Sequence, residues 1–118
     1  MRILALTSSL LALALLGVPA RAQATHSVKI AWTDTTNPAG TTYNLYRASA
    51  ACSTNPTLTK LNTAPITTQG YTDSNVAAGT YCYAATAVGP GGESAQSNQA
   101  PAVILAPPNA ITITVTVS

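Results

Sequence analysis

Few side chains in this sequence are equipped for chemistry. One histidine, His26, three carboxylates, Asp34, Asp73 and Glu93, and two cysteines, Cys52 and Cys82, supply the groups from which acid–base, nucleophilic or metal-ligating sites are usually built. A general acid–base pair needs two such groups within hydrogen-bond reach. His26 and Asp34 bracket one extended segment, about 25 Å long at ~3.3 Å per residue, so they cannot meet. Spacing does not exclude His26 with Asp73 or Glu93, yet no Gly-x-Ser-x-Gly elbow marks a nucleophile. Cys-x-x-Cys, His-x-x-x-His and calcium-loop spacings are also missing. The expectation is a chain with no catalytic residues, no metal and no cofactor. Asp34 and Asp73 read as turn residues that bond their own backbone.

The two cysteines acquire meaning from the N-terminus. Met1-Arg2 is a short basic start, and Ile3 to Val18 is apolar apart from Thr7, Ser8, Ser9 and Gly17. Ala20-Arg21-Ala22 then fits a small-x-small cleavage site, so residues 1–22 read as a removed signal peptide cut after Ala22 or Ala24. The run is too short and too polar for a membrane span, which takes about 20 apolar residues. Secretion, or residence in the cell envelope or periplasm, follows. In that oxidising setting an even pair of cysteines is expected to bridge.

Without residues 1–22 the charge balance changes. Lys29, Arg47 and Lys60 face Asp34, Asp73 and Glu93, which gives no net charge. Such a surface has no basic patch for phosphates or anionic lipid, so no nucleic-acid or membrane partner is expected. The remaining length suits one small domain whose modest core benefits from a covalent staple.

Positioning falls to strands. Short apolar-polar alternations separated by Asn, Pro, Gly, Thr and Asp recur at about ten-residue intervals, the pattern of a sandwich or barrel. Ser27 to Thr33 places Val28, Ile30 and Trp32 on one face, and Thr42 to Ala48 places Tyr43 and Leu45 together with Tyr46 opposite. Leu58–Asn62 and Gly70–Asp73 read as short strands. Thr80 to Val88 is the longest alternating segment, with Tyr81, Tyr83, Ala85 and Ala87 on one face and Cys82, Ala84, Thr86 and Val88 on the other. After the turn Gly89-Pro90-Gly91-Gly92, a strand from Glu93 to about Leu105 is expected, made irregular by Asn98 and Pro101.

Taken together, the Trp32 strand, Tyr43-Asn44-Leu45-Tyr46-Arg47, Tyr71-Thr72-Asp73 and the run from Gly79 to Asn98 resemble a fibronectin type III domain. The resemblance covers about residues 26–104 and implies an immunoglobulin-like β-sandwich over residues 26–105. It implies a core containing Trp32, Tyr43, Leu45, Tyr81 and Tyr83, with the Tyr81 hydroxyl tying the preceding corner. Gly91-Gly92-Glu93-Ser94 is typical of bacterial extracellular members. Two departures stand out: too little chain precedes Val28 to form the family's first strand, and the cysteine pair is an addition. The family layout points Cys82 outward from its sheet, where Cys52 would fold back to meet it.

Residues 106–118 are the oddest part. Ala106-Pro107-Pro108-Asn109 reads as a stiff linker, and Ile111 to Val117 alternates almost perfectly, with Ile111, Ile113, Val115 and Val117 on one aliphatic face. Such a strand should pair with something. It resembles the family's opening strand, and packs either on its own domain or on a neighbouring copy.

The functional expectation is a non-catalytic extracellular module for protein or polysaccharide binding or spacing, the alternative being a structural protein that self-assembles through its last strand. Asp34–Gly40, Ser49–Thr57 and Gly89–Gly92 are candidate contact loops. Tyr46 is expected to cover the Cys52–Cys82 region, and a sheet face with Tyr46, Ala84 and Thr86 is the candidate docking surface.

Overall fold

Alternation sets which segments extend, and pairing then follows from which faces must leave water. A computed structural model describes residues 25–118; the expected signal peptide and its cleavage sites lie outside the described residues. Seven strands form in order: β1 Thr25–Ala31, β2 Thr42–Ala48, β3 Thr59–Lys60, β4 Gly70–Ala77, β5 Gly79–Gly89, β6 Gly92–Glu93 and β7 Ala100–Ile104. The described residues contain no α-helix, and one 3-10 turn, Cys52–Thr54, follows β2.

The strands make two antiparallel sheets, so the chain is an all-β sandwich. β1 pairs with β4 alone, and the second sheet runs β3-β2-β5, with β6 and β7 both on the far edge of β5. Across β2 and β5 the register sets Tyr43 opposite Ala87, Leu45 opposite Ala85 and Arg47 opposite Tyr83 on the inner face. Asn44 with Thr86, Tyr46 with Ala84 and Ala48 with Cys82 share the outer face. The β1–β4 pair is interrupted where Ser27 alone opposes Ser74 and Asn75. Asn75 takes φ 59° there, a left-handed bulge conformation that asparagine tolerates better than most residues.

Between the sheets lie Tyr43, Leu45, Ile66, Val76, Tyr81, Tyr83 and Ala85, with Val28, Ile30 and Tyr71 packed against them from the smaller sheet. Trp32 departs from expectation. It sits just past the end of β1, half-buried, with its ring meeting Tyr43 edge-on at 5.4 Å. The expected Glu93–Leu105 strand is divided into β6 and β7, because Ser94 to Gln99 leaves the ladder. Residues 105–118 form no strand and are exposed in this single chain, so the tail does not pack on its own domain.

Cys52 and Cys82 are bonded, and Cys82 is completely buried. The 3-10 turn brings Cys52 back over the outer face of β5, and Asn55 ends that turn in a left-handed conformation, donating its N–H to the Cys52 carbonyl. Closing this loop removes roughly 3–4 kcal/mol of unfolded-chain entropy. Replacing both cysteines with serine should therefore lower the unfolding free energy by about 3–4 kcal/mol, measured as a shift in urea midpoint.

Candidate functional site

Each carboxylate is committed to a cluster of its own. Asp34 opens the loop between β1 and β2: its Oδ1 accepts from the backbone N–H groups of Thr36 (3.1 Å) and Asn37 (3.0 Å). Its Oδ2 accepts from the Asn37 side chain (2.9 Å) and the Tyr43 hydroxyl (2.9 Å), so the loop is tied to the core. These bonds, chiefly those from Asn37, hold the Asp34 carboxyl down at a pKa of about 2. The sequence reading of Asp34 as a turn residue matches this geometry.

Asp73 is different, and the reading of it as a turn residue is corrected. It lies within β4, 8% exposed, because β4 continues to Ala77 and turns this side chain inward. Arg47 on the inner face of β2 meets it at 2.7 Å, and the Tyr83 hydroxyl donates to the same carboxylate oxygen at 2.8 Å. This pair crosses from one sheet to the other. Arg47 also lies over the Tyr81 ring, 5.3 Å from its centroid, which adds a cation–π contact. Burial first, then the Asp73 bond, pushes the Tyr83 hydroxyl well above the usual tyrosine range.

Glu93, on β6, accepts from three donors on the outer face of the large sheet: the Tyr46 hydroxyl, the Thr86 hydroxyl and the Asn44 side chain at 3.1 Å. The Thr86 bond, followed by those from Tyr46 and Asn44, lowers its pKa to about 2. This cluster corrects the expected docking surface. Thr86 is 5% exposed because its hydroxyl is bonded to Glu93, and Ala84 is 4% exposed because it is a small side chain directly opposite Tyr46. Tyr46 reaches toward Glu93 rather than over the disulfide. Only its half-exposed ring remains of the proposed patch.

The candidate loops divide between the two ends of the sandwich. Thr42 pairs with Val88 at one end of the β2–β5 ladder, and Ala48 pairs with Cys82 at the other. Asp34–Gly40 and Gly89–Gly92 therefore lie together, bordering a cleft of about 310 Å³ lined by Asn37, Pro38, Thr41 and Pro90. Ser49–Thr57 is at the opposite end with the disulfide. Tyr43, Leu45, Tyr81 and Tyr83 all lie in the core, each 8% exposed or less. His26 is exposed at the start of β1, opposite Val76 on β4.

Three residues to which the sequence patterns gave no such role close strand edges. Asn62 is 6% exposed; its Oδ1 accepts from the Leu45 N–H, and its amide group donates to Asn44 and to the Ala64 carbonyl. Ser94 and Ser97 accept from the Ala87 and Ala85 N–H groups while their own N–H groups return to the same two carbonyls. Their spacing gave no signal: Ser94 and Ser97 are three residues apart, whereas the edge N–H groups of Ala85 and Ala87 that they meet are two apart.

No protein-family model and no curated protein matches the sequence. No helix among the described residues is long and apolar enough to cross a membrane.

Two predictions follow from these clusters. Asp73→Ala strands a partly buried guanidinium and the Tyr83 hydroxyl together, so it should cost about 2–4 kcal/mol in urea unfolding. Arg47→Met leaves the more buried Asp73 carboxylate with only the Tyr83 hydroxyl, so it should cost at least as much. Asp34 and Glu93 both titrate lower in the folded state than their ordinary 3.8 and 4.5. The unfolded chain then binds more protons in that range, so their stabilisation is complete above about pH 5 and is lost as pH falls toward 2. The urea midpoint should follow that course, with a shallow slope because both groups face solvent, and Glu93→Gln should flatten it further.

Proposed function

We propose that this chain is an immunoglobulin-like sandwich of the fibronectin type III kind, exported and working as a protein-contact and spacing module without a catalytic role. The family part of this reading is supported by the corner between β4 and β5. There the Tyr81 hydroxyl donates to the Ala77 carbonyl at 2.9 Å, the tie expected of a tyrosine opening that strand. A buried disulfide suits an oxidising compartment and supports export.

The functional part rests on one observation: all three carboxylates and Arg47 are engaged in bonds that hold loops and sheets together. Groups used this way set shape. Tyrosines 43, 81 and 83 are buried and Trp32, Tyr46 and Tyr71 half-buried, which favours contact through the loops at the Asp34–Gly40 and Gly89–Gly92 end over stacking on sugar rings. The Asp34–Gly40 loop is tied to the core by Asp34, so contacting a partner there carries little ordering cost.

Amide NMR spectra titrated with cello-, xylo- and chito-oligosaccharides test this reading. Unchanged loop resonances are expected. Saturable shifts with any of the three would make the module a carbohydrate binder. Exposure to glutathione at an extracytoplasmic poise should release no thiol, and reversible reduction with retained fold would point to redox chemistry instead.

A further inference from the structure

The smaller sheet has open edges, and Ile111–Val117 is an exposed, alternating segment without a partner among the described residues. β1 is seven residues long, contains no proline, and pairs only with β4 among the described residues. One row of its backbone N–H and C=O groups therefore faces away from the sheet. The other exposed edges are poorer templates: the outer edge of β4 is interrupted by the bulge at Asn75, β3 has two residues, and β7 carries Pro101.

The gap beside β1 reaches the core. A cleft of about 420 Å³ opens between the sheets there, lined by Ile30 and Trp32 on one side and by Leu45, Tyr83 and Ala85 on the other. Core side chains at a cleft mark missing apolar cover. The indole N–H of Trp32 is buried with no acceptor among the described residues, a shortage that a neighbouring strand's carbonyl or hydroxyl can meet.

The tail has the matching pattern. Ile111, Ile113, Val115 and Val117 are 91%, 81%, 77% and 88% exposed, and Thr112, Thr114 and Thr116 alternate with them. Its seven residues equal the length of β1, and it carries no charged side chain to oppose Lys29.

We infer that Ile111–Val117 of one molecule adds to the free edge of β1 of a second copy, running antiparallel to it and filling the cleft with its aliphatic face. Direction decides between self and neighbour. Ile104, the last residue of β7, pairs with Gly79, and Thr25, the first residue of β1, pairs with Ala77, so the tail leaves from the end of the sandwich where β1 begins. An antiparallel partner of β1 must enter beside Ala31, the opposite end. Reaching it takes about 23 Å along β1 at ~3.3 Å per residue, more than the six residues Leu105–Ala110 span as a proline-stiffened linker at ~3.1 Å each. A second copy placed end to end presents its Ala31 end to the emerging tail. Because the donating and accepting surfaces differ, the contact is heterologous and repeats into an open, head-to-tail chain. This inference needs no ligand for the loops and stands apart from the proposed contact function.

Light scattering on the purified chain across a concentration range tests it. The mass should climb through successive multiples of the monomer without stopping at a dimer. Ile113→Lys with Val115→Lys alters only exposed positions, so the fold and disulfide should survive while the mass stays monomeric at every concentration. A synthetic peptide of residues 107–118 should bind that variant one to one, since its β1 edge is intact, and should shorten assemblies of the unaltered chain. The inference is overturned if the unaltered chain remains monomeric and the peptide does not bind. A closed dimer of fixed mass would overturn it as well, as would hydrogen-exchange protection of Ile111–Val117 in the monomer.

Discussion

A sandwich with only two strands in one sheet must be held shut by side chains that cross the gap, and the Arg47–Asp73 pair does this. Arg47 is placed on the inner face of β2 by the same alternation that buries Tyr43 and Leu45, and Asp73 arrives from β4. A hydrophobic contact across the same distance would tolerate sliding. A charge-assisted bond of 2.7 Å, shared with the Tyr83 hydroxyl, fixes which residue of one sheet opposes which of the other. Desolvation makes such a pair a modest source of net stability, so its main effect is on register. The tyrosine core and the β4–β5 corner depend on that alignment, since Tyr81 lies under the Arg47 guanidinium and anchors Ala77.

β5 is the element on which the larger sheet converges. Both of its faces leave water: Tyr81, Tyr83 and Ala85 toward the core, Cys82, Ala84 and Thr86 beneath the disulfide turn, Tyr46 and Glu93. Its edges are managed as carefully. β2 occupies one, and β6, β7 and the serines between them occupy the other, with hydroxyl oxygens standing in where the ladder stops. The same substitution by Asn62 closes β2 beyond β3. Only in the smaller sheet does a full-length edge lack such closure among the described residues, and the core beneath it is open.

The consequence for function lies in what is left over. With the carboxylates spent on a turn, an inter-sheet pair and a surface tyrosine cluster, the exposed parts include backbone edges, loop tips, the side chains of His26, Lys29 and Lys60, and an aliphatic tail. These are the parts from which molecular contacts are built.

The sequence by itself determined an all-β chain, because period-two alternation and the clusters of Gly, Pro, Asn and Asp act locally and are read one segment at a time. It likewise determined the parity of β5, the turn role of Asp34 and the aliphatic face of the tail. The tertiary structure alone decided that Asp73 is an ion-pair partner, that Thr86 and Ala84 are covered, and that Trp32 stands outside its strand. Parity tells which face a side chain occupies but not what lies above that face, and each of these outcomes depends on residues distant in sequence: Arg47 for Asp73, Glu93 and Tyr46 for the outer face, Gln69 for Trp32. Edge closure by Asn62, Ser94 and Ser97 was hidden for the same reason. A polar side chain signals a vacant backbone donor only after the strand that owns the donor has been placed beside it.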